Sequence, residues 1–212
     1  MLNAEDIKAK LNFYAVVIGA GPGGPQAIEE ILKSIDPNLP IVYIILQKMR
    51  TGFTKVFAEQ LRHICTIPVR EPIDGEQLHI PCVLVVPTGH SISLYNPPEA
   101  DANVFQIFVE YVDISNKKAM KPINASMISA ANAFGKNTIG VLLTGYGDDG
   151  IDGMKAIADA GGTTIVEDES SCIIFELPFN AINAGVVHHT TPLYQISEKI
   201  MSKIRGEKYA AA

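Results

Sequence analysis

Three short stretches of this chain concentrate the residue types that do chemistry. The first is Gly19-Ala20-Gly21-Pro22-Gly23-Gly24-Pro25, a glycine turn behind the apolar run Val16-Val17-Ile18 and ahead of a proline suited to a first helical position. Read as G-x-G-x-x-G through Gly19, Gly21 and Gly24, it has the spacing of a dinucleotide fingerprint, in which a pyrophosphate meets backbone N–H groups at a helix N-terminus. With serine at position 21 the same turn would present a nucleophile. The second stretch, Gln47-Lys48-Met49-Arg50-Thr51-Gly52-Phe53-Thr54, brings cations to the end of another apolar run. The third, Thr144-Gly145-Tyr146-Gly147-Asp148-Asp149-Gly150, places two acids in a glycine-rich turn. If the preceding runs are parallel strands, Gly21, Lys48 and Asp149 converge on one crevice at their carboxyl ends.

The elements that would position them follow from periodicity. Residues 14–18 and 41–46 read as buried strands, and Gln26–Lys33 and Thr54–Arg62 carry helical spacing, which makes a right-handed β-α-β-α unit. Extended pieces near 67–71, 82–86, 91–95 and 104–112, broken by Asp74-Gly75 and Asn96-Pro97-Pro98, suggest antiparallel hairpins attached to the sheet. A helix over 124–134, strand 139–143, helix 151–159 and strand 163–166 restore the alternation, followed by helices near 178–184 and 193–204. The expected fold is α/β, a doubly wound and mostly parallel sheet with an antiparallel hairpin region. Residues 1–13 read as an N-terminal extension, 14–204 as one domain and 205–212 as a flexible tail.

Composition narrows the function. With 212 residues, 47% of them hydrophobic, the chain can bury one substantial core. A net charge of −6 without a basic tract argues against a nucleic-acid surface. Apolar runs far shorter than the ~20 residues of a membrane span argue against insertion. Glu5, Asp6, Lys8 and Lys10 interrupt any signal-peptide core, so the protein reads as soluble and cytoplasmic. Cys65, Cys82 and Cys172 lack C-x-x-C spacing and fit reduced thiols. The adjacent pair His188-His189 would face opposite sides of a strand, which disfavours a metal site. His63 and His79 lie in polar surroundings.

In order and spacing, several separated blocks resemble the catalytic domain of CheB-type chemotaxis protein-glutamate methylesterases. They are Gly19-Ala20 with Gly23-Gly24-Pro25, Gln47 with Gly52-Phe53-Thr54 and Phe57-Ala58, Asp74-Gly75-Glu76, Leu143-Thr144-Gly145 with Gly147 and Asp149-Gly150, Ala160-Gly161-Gly162, Thr164-Ile165, Asp168-Glu169, Ser171-Cys172, Leu177-Pro178, Ala181-Ile182, Gly185 and Pro192. The resemblance runs from about Tyr14 to about Ile200. It implies a hydrolase fold that cleaves glutamyl methyl esters of chemoreceptors with a serine, histidine and aspartate triad and no cofactor. It also implies that the chain lacks the family's usual receiver domain.

Carried over by motif, the serine falls on Gly21, the histidine on Lys48 and the aspartate on Asp149. Only the acid remains. The family's histidine-arginine pair and later aspartate fall on Met120, Lys121 and Ala125, and another family histidine falls on Ser91. Lys48 is expected to form a salt bridge with Asp149, and Pro22, Gly23, Gly24 and Tyr146 are candidates for binding an oxyanion or other anion. His90, one position from a family site, is expected to face away because a one-residue shift reverses a strand side chain. Ser91, Thr51 or Thr54 would supply a hydroxyl only by reaching the cleft. The resulting expectation is a catalytically degenerate homologue that binds a chemoreceptor cytoplasmic segment or a chemotaxis signalling protein. Two alternatives stand: an active ester hydrolase using rearranged residues, and a dinucleotide-binding protein using Gly19, Gly21 and Gly24.

Overall fold

A computed structural model describes residues 13–101, 104–113 and 120–206. Strands β1 (Tyr14–Ala20) and β2 (Ile41–Gln47) form the centre, paired in parallel from Tyr14↔Ile41 to Ala20↔Gln47. Both are apolar nearly throughout, as strands covered on both faces must be. Beyond β2 lie β4 (Cys82–Val85) and the short edge strand β3 (Val69–Arg70); beyond β1 lie β7 (Thr138–Leu142), β8 (Thr163–Glu167) and β9 (His189–Thr191). The seven-stranded order is β3-β4-β2-β1-β7-β8-β9, with every neighbouring pair parallel.

Helices α1 (Gly24–Leu32), α2 (Phe53–Arg62) and α6 (Leu193–Arg205) bury their apolar stripes on one face, against Val16, Ile18, Tyr43 and Ile45. Helices α3 (Pro122–Phe134), α4 (Ile151–Asp159) and α5 (Glu176–Asn183) cover the other, where Val17, Ile44 and Leu142 meet Met127, Phe134 and Met154. This is the expected α/β architecture.

The hairpin region differs from expectation in one respect. Residues 67–71 and 82–86 do not form a hairpin: β3 and β4 run parallel and extend the main sheet. Cys82-Val83-Leu84-Val85 is continuously buried, the pattern of a strand inside a parallel sheet rather than of a half-exposed hairpin. The antiparallel pair is β5 (His90–Tyr95) with β6 (Gln106–Tyr111), a separate two-stranded sheet. Both of its edges are occupied. On β5, the N–H groups of Ile92 and Leu94 donate to Ser126 Oγ (3.0 Å) and Ser129 Oγ (2.8 Å) of α3. Beside β6, Gly75 N–H donates to Ile107 O and Ile107 N–H to Glu76 O. Most of the N-terminal extension (1–12) and of the tail (207–212) lies outside the described residues.

Candidate functional site

The chain leaves β1 toward β2 and later returns to β1's other side as β7, so the strand order reverses between β1 and β7. Ligands of open α/β sheets bind at such a switch point, outside the carboxyl ends of the strands. All three chemistry-bearing stretches emerge here. Gly21 and Lys48 each follow the paired residues Ala20 and Gln47, and Lys48 N–H donates to Ala20 O at 2.9 Å. On the other side, Gly21 N–H donates to Thr144 O at 2.8 Å.

The β1 and β7 loops touch through backbone. A Cβ at position 21 would stand 2.9 Å from Gly145 Cα and 3.5 Å from Tyr146 N. Thr144 holds the contact closed: its hydroxyl donates to Pro22 O (2.9 Å) and accepts from Ile174 N–H (2.8 Å). Its own N–H reaches the buried carboxylate of Glu167 at 2.9 Å. Neither Thr144's clamping role nor Glu167 was visible in sequence, because their partners come from remote loops.

Asp149 is buried, at 2% exposure, but it is not paired with Lys48. This corrects the expected salt bridge. Among the described residues Lys48 makes no direct ion pair, and Lys121 pairs with Asp148 instead. The Asp149 carboxylate accepts from Ile123 N–H (3.3 Å) and Asn124 N–H (3.0 Å), in the first turn of α3. Pro122 at the head of that helix has no N–H, so these are the helix's first available donors. The contact is reciprocated by Asn124 Oδ1, which accepts from Gly150 N–H (2.8 Å) and Gly153 N–H (3.0 Å) at the start of α4. The loop before α4 therefore caps α3, and the first turn of α3 in return caps α4. Burial pushes the Asp149 carboxyl above its ordinary value, against the lowering effect of the two N–H groups and of nearby Lys48 and Lys121.

The anion-binding candidates fare unequally. Pro22 has no N–H to offer. Gly24 N–H already donates to Gly21 O, and Gln47 Oε1 lies where a Cβ of Gly24 would be. Gln47, itself buried, is fixed by donating Nε2 to Gly21 O at 2.8 Å and Lys48 O at 2.9 Å. Its amide oxygen packs against Gly24, buried and accepting no hydrogen bond among the described residues. Of the turn's N–H groups, those of Gly23 and Tyr146 carry no hydrogen bond among the described residues. The glycine fingerprint is consequently a packing device here, with Gly24 needed for Gln47 and Gly23 adopting φ 87° as the residue before α1.

Beside these loops lies a cleft of about 720 Å³, which Lys48, Asp149, Asp148 and Lys121 line together with Leu46, Met49, Val86, His90, Met120 and Ile123. His90 is thus among the residues that line the cleft, although it was expected to face away. It is the first residue of β5, directly after Gly89 at φ 81° and paired with Tyr111. Its Nδ1 lies 3.3 Å from Thr88 O, and its ring meets Tyr111 edge-on at 5.6 Å. Ser91, Thr51 and Thr54 do not line the cleft; the Thr54 hydroxyl donates to Glu71 at 2.6 Å. All three cysteines are free, and burial pushes the thiols of Cys65 and Cys82 up to about 11 and about 12. His188 Nδ1 accepts from Thr164 N–H at 3.1 Å, and no cluster suited to a metal ion occurs among the described residues.

Comparison with known proteins decides the lineage. The profile of the CheB methylesterase family matches residues 16–200. The chain belongs to the CheB methylesterase family. The Thermotoga maritima CheB methylesterase catalytic domain superposes with a TM-score of 0.83 at 29% identity, over 91% of this chain and all of that one. A protein-glutamate methylesterase/protein-glutamine glutaminase of Carboxydothermus hydrogenoformans is 36% identical over 89% of this chain and 55% of its own length. One from Archaeoglobus fulgidus is 36% identical over 92% of this chain and 54% of its own length. The chain thus spans about half the length of the curated relatives it matches. Among its described residues, no helix is long and apolar enough to cross a membrane.

Proposed function

We propose that this CheB-family domain is a catalytically silent binding module of chemotaxis signalling, engaging a chemoreceptor segment or a signalling protein through the strand-end face. The observation that carries the reading is position 21. Ester hydrolysis by a covalent route needs a nucleophile beside a base and N–H donors for the oxyanion. Gly21 supplies no nucleophile, and the backbone of Gly145 occupies the space into which a side chain there would project. Lys48, exposed and lining the cleft, reads as a binding group. The cysteines, with thiols held well above neutral pH, offer no substitute nucleophile.

Asp149 persists in this reading because it caps α3, a task that outlives catalysis. Carboxylates of a partner would find Lys48 and the N–H groups of Gly23 and Tyr146 on the same face. A second reading has one observation in its favour: His90 shares the cleft with Lys48 and Asp149 and could act as a base toward water. Calorimetry with a methylated receptor segment distinguishes the two. Saturable binding that leaves the methyl ester intact after prolonged incubation is expected. Loss of the ester, abolished by His90→Ala, would establish the rearranged hydrolase instead.

A further inference from the structure

The cleft extends away from Gly21, between the end of β2, the β4–β5 turn and the start of α3. Its volume of about 720 Å³ falls within the range of pockets that enclose whole small molecules, roughly 300–1,000 Å³. Leu46, Met49, Val86, Met120 and Ile123 give it apolar walls. Its charged groups are not equivalent. Lys121 is tied to Asp148, and Asp149 is buried against the first turn of α3, where two N–H groups donate to it. Asp113, also in the lining, has an interaction of its own. Lys48 stands exposed and makes no direct ion pair among the described residues. Lys48 lies near Asp148 and Asp149 but bonds directly to neither, and an apolar cavity lined by a cation free of a direct ion pair complements an amphiphile of opposite charge.

We propose that this cleft binds an apolar monocarboxylate, with the hydrocarbon body between Leu46, Val86 and Ile123 and the carboxylate on Lys48 Nζ. The inference rests on reading Lys48 as a binding group, and it adds a small-molecule ligand to the partner-binding face. A ligand seated there would lie beside Met49 and Met120 and could tune how that face meets a partner.

Decanoate, decanol and decylamine, each used below its micelle concentration or solubility limit, separate hydrophobic filling from charge recognition. Methyl-labelled methionine NMR reads the location, because Met49 and Met120 line the cleft while Met127 and Met154 are buried in the core. Saturable decanoate binding should move the Met49 and Met120 signals and leave the two core signals in place, with decanol and decylamine about tenfold weaker. Lys48→Met should abolish the advantage of decanoate, whereas Lys155→Met, on the exposed face of α4, should not. Absence of saturable binding, equal affinity for the three probes, or a decanoate affinity indifferent to Lys48→Met would overturn the inference. Each failure is distinguishable from failure of the functional reading, since methanol release from a glutamyl methyl ester would refute catalytic silence and leave decanoate binding untouched.

Discussion

Two residues carry most of the account, and both act through neighbours that sequence does not display. Asp149 could be singled out from its glycine turn, but its partners could not: Pro122 announces a helix start, while nothing local says that the orphan N–H groups of that start are met by a carboxylate from 25 residues further on. Asn124, which returns the contact, was missed for the same reason. Asp149→Ala is therefore expected to lower stability by about 1–2 kcal/mol through loss of the hydrogen bonds that cap α3, read as a lower midpoint in chemical denaturation. The sign of the pH effect also follows. With its pKa raised from 3.8, Asp149 holds its proton more tightly in the folded state than in the unfolded chain, so its contribution falls as pH rises through the window that starts there. The unfolding free energy of the wild type relative to Asp149→Asn should decline across that acid window and level off above it; a rise would contradict the assignment. At Gly21 the expectation is steric. Gly21→Ala brings a Cβ to 2.9 Å from Gly145 Cα and should cost about 1–3 kcal/mol as overpacking, measurable by thermal unfolding.

Among the elements, the central strands were legible because continuous apolar runs bounded by glycine or proline have few other uses. Around β3 and β4 the sequence misleads, because the turn chemistry at Asp74-Gly75 suggests a hairpin between consecutive strands, whereas the segment that follows it pairs with β6, which is remote in sequence. The serines of α3 carry a more hidden function. Ser126 and Ser129, one turn apart, accept the N–H groups of Ile92 and Leu94 and so close an edge strand that would otherwise be open to pairing with another chain. Replacing both by alanine should cost about 1 kcal/mol per lost bond. Amide exchange should then accelerate at Ile92 and Leu94 while the β1 and β2 amides stay protected. Uniform acceleration across the sheet would mean that the serines support the whole core rather than the hairpin edge.

For the whole molecule, family membership and architecture were readable from spaced motifs, whereas the state of the site required coordinates. The glycine turn illustrates the difference. As a string, Gly19, Gly21 and Gly24 suit a dinucleotide; in space, Gln47 packs where a side chain of Gly24 would be and Thr144 O takes the Gly21 N–H. Neither NADP nor FAD should raise the melting temperature, as a ligand selective for the folded state would have to. The fold thus keeps its strand-end crevice while the groups meeting there brace one another. Methanol release from a methyl-esterified receptor segment tests this most directly, comparing the unaltered domain with the Gly21→Ser/Lys48→His double variant. The unaltered domain should release none above the buffer control at any enzyme concentration. Release that scales with the unaltered domain and disappears in His90→Ala or Lys48→Ala would contradict the account.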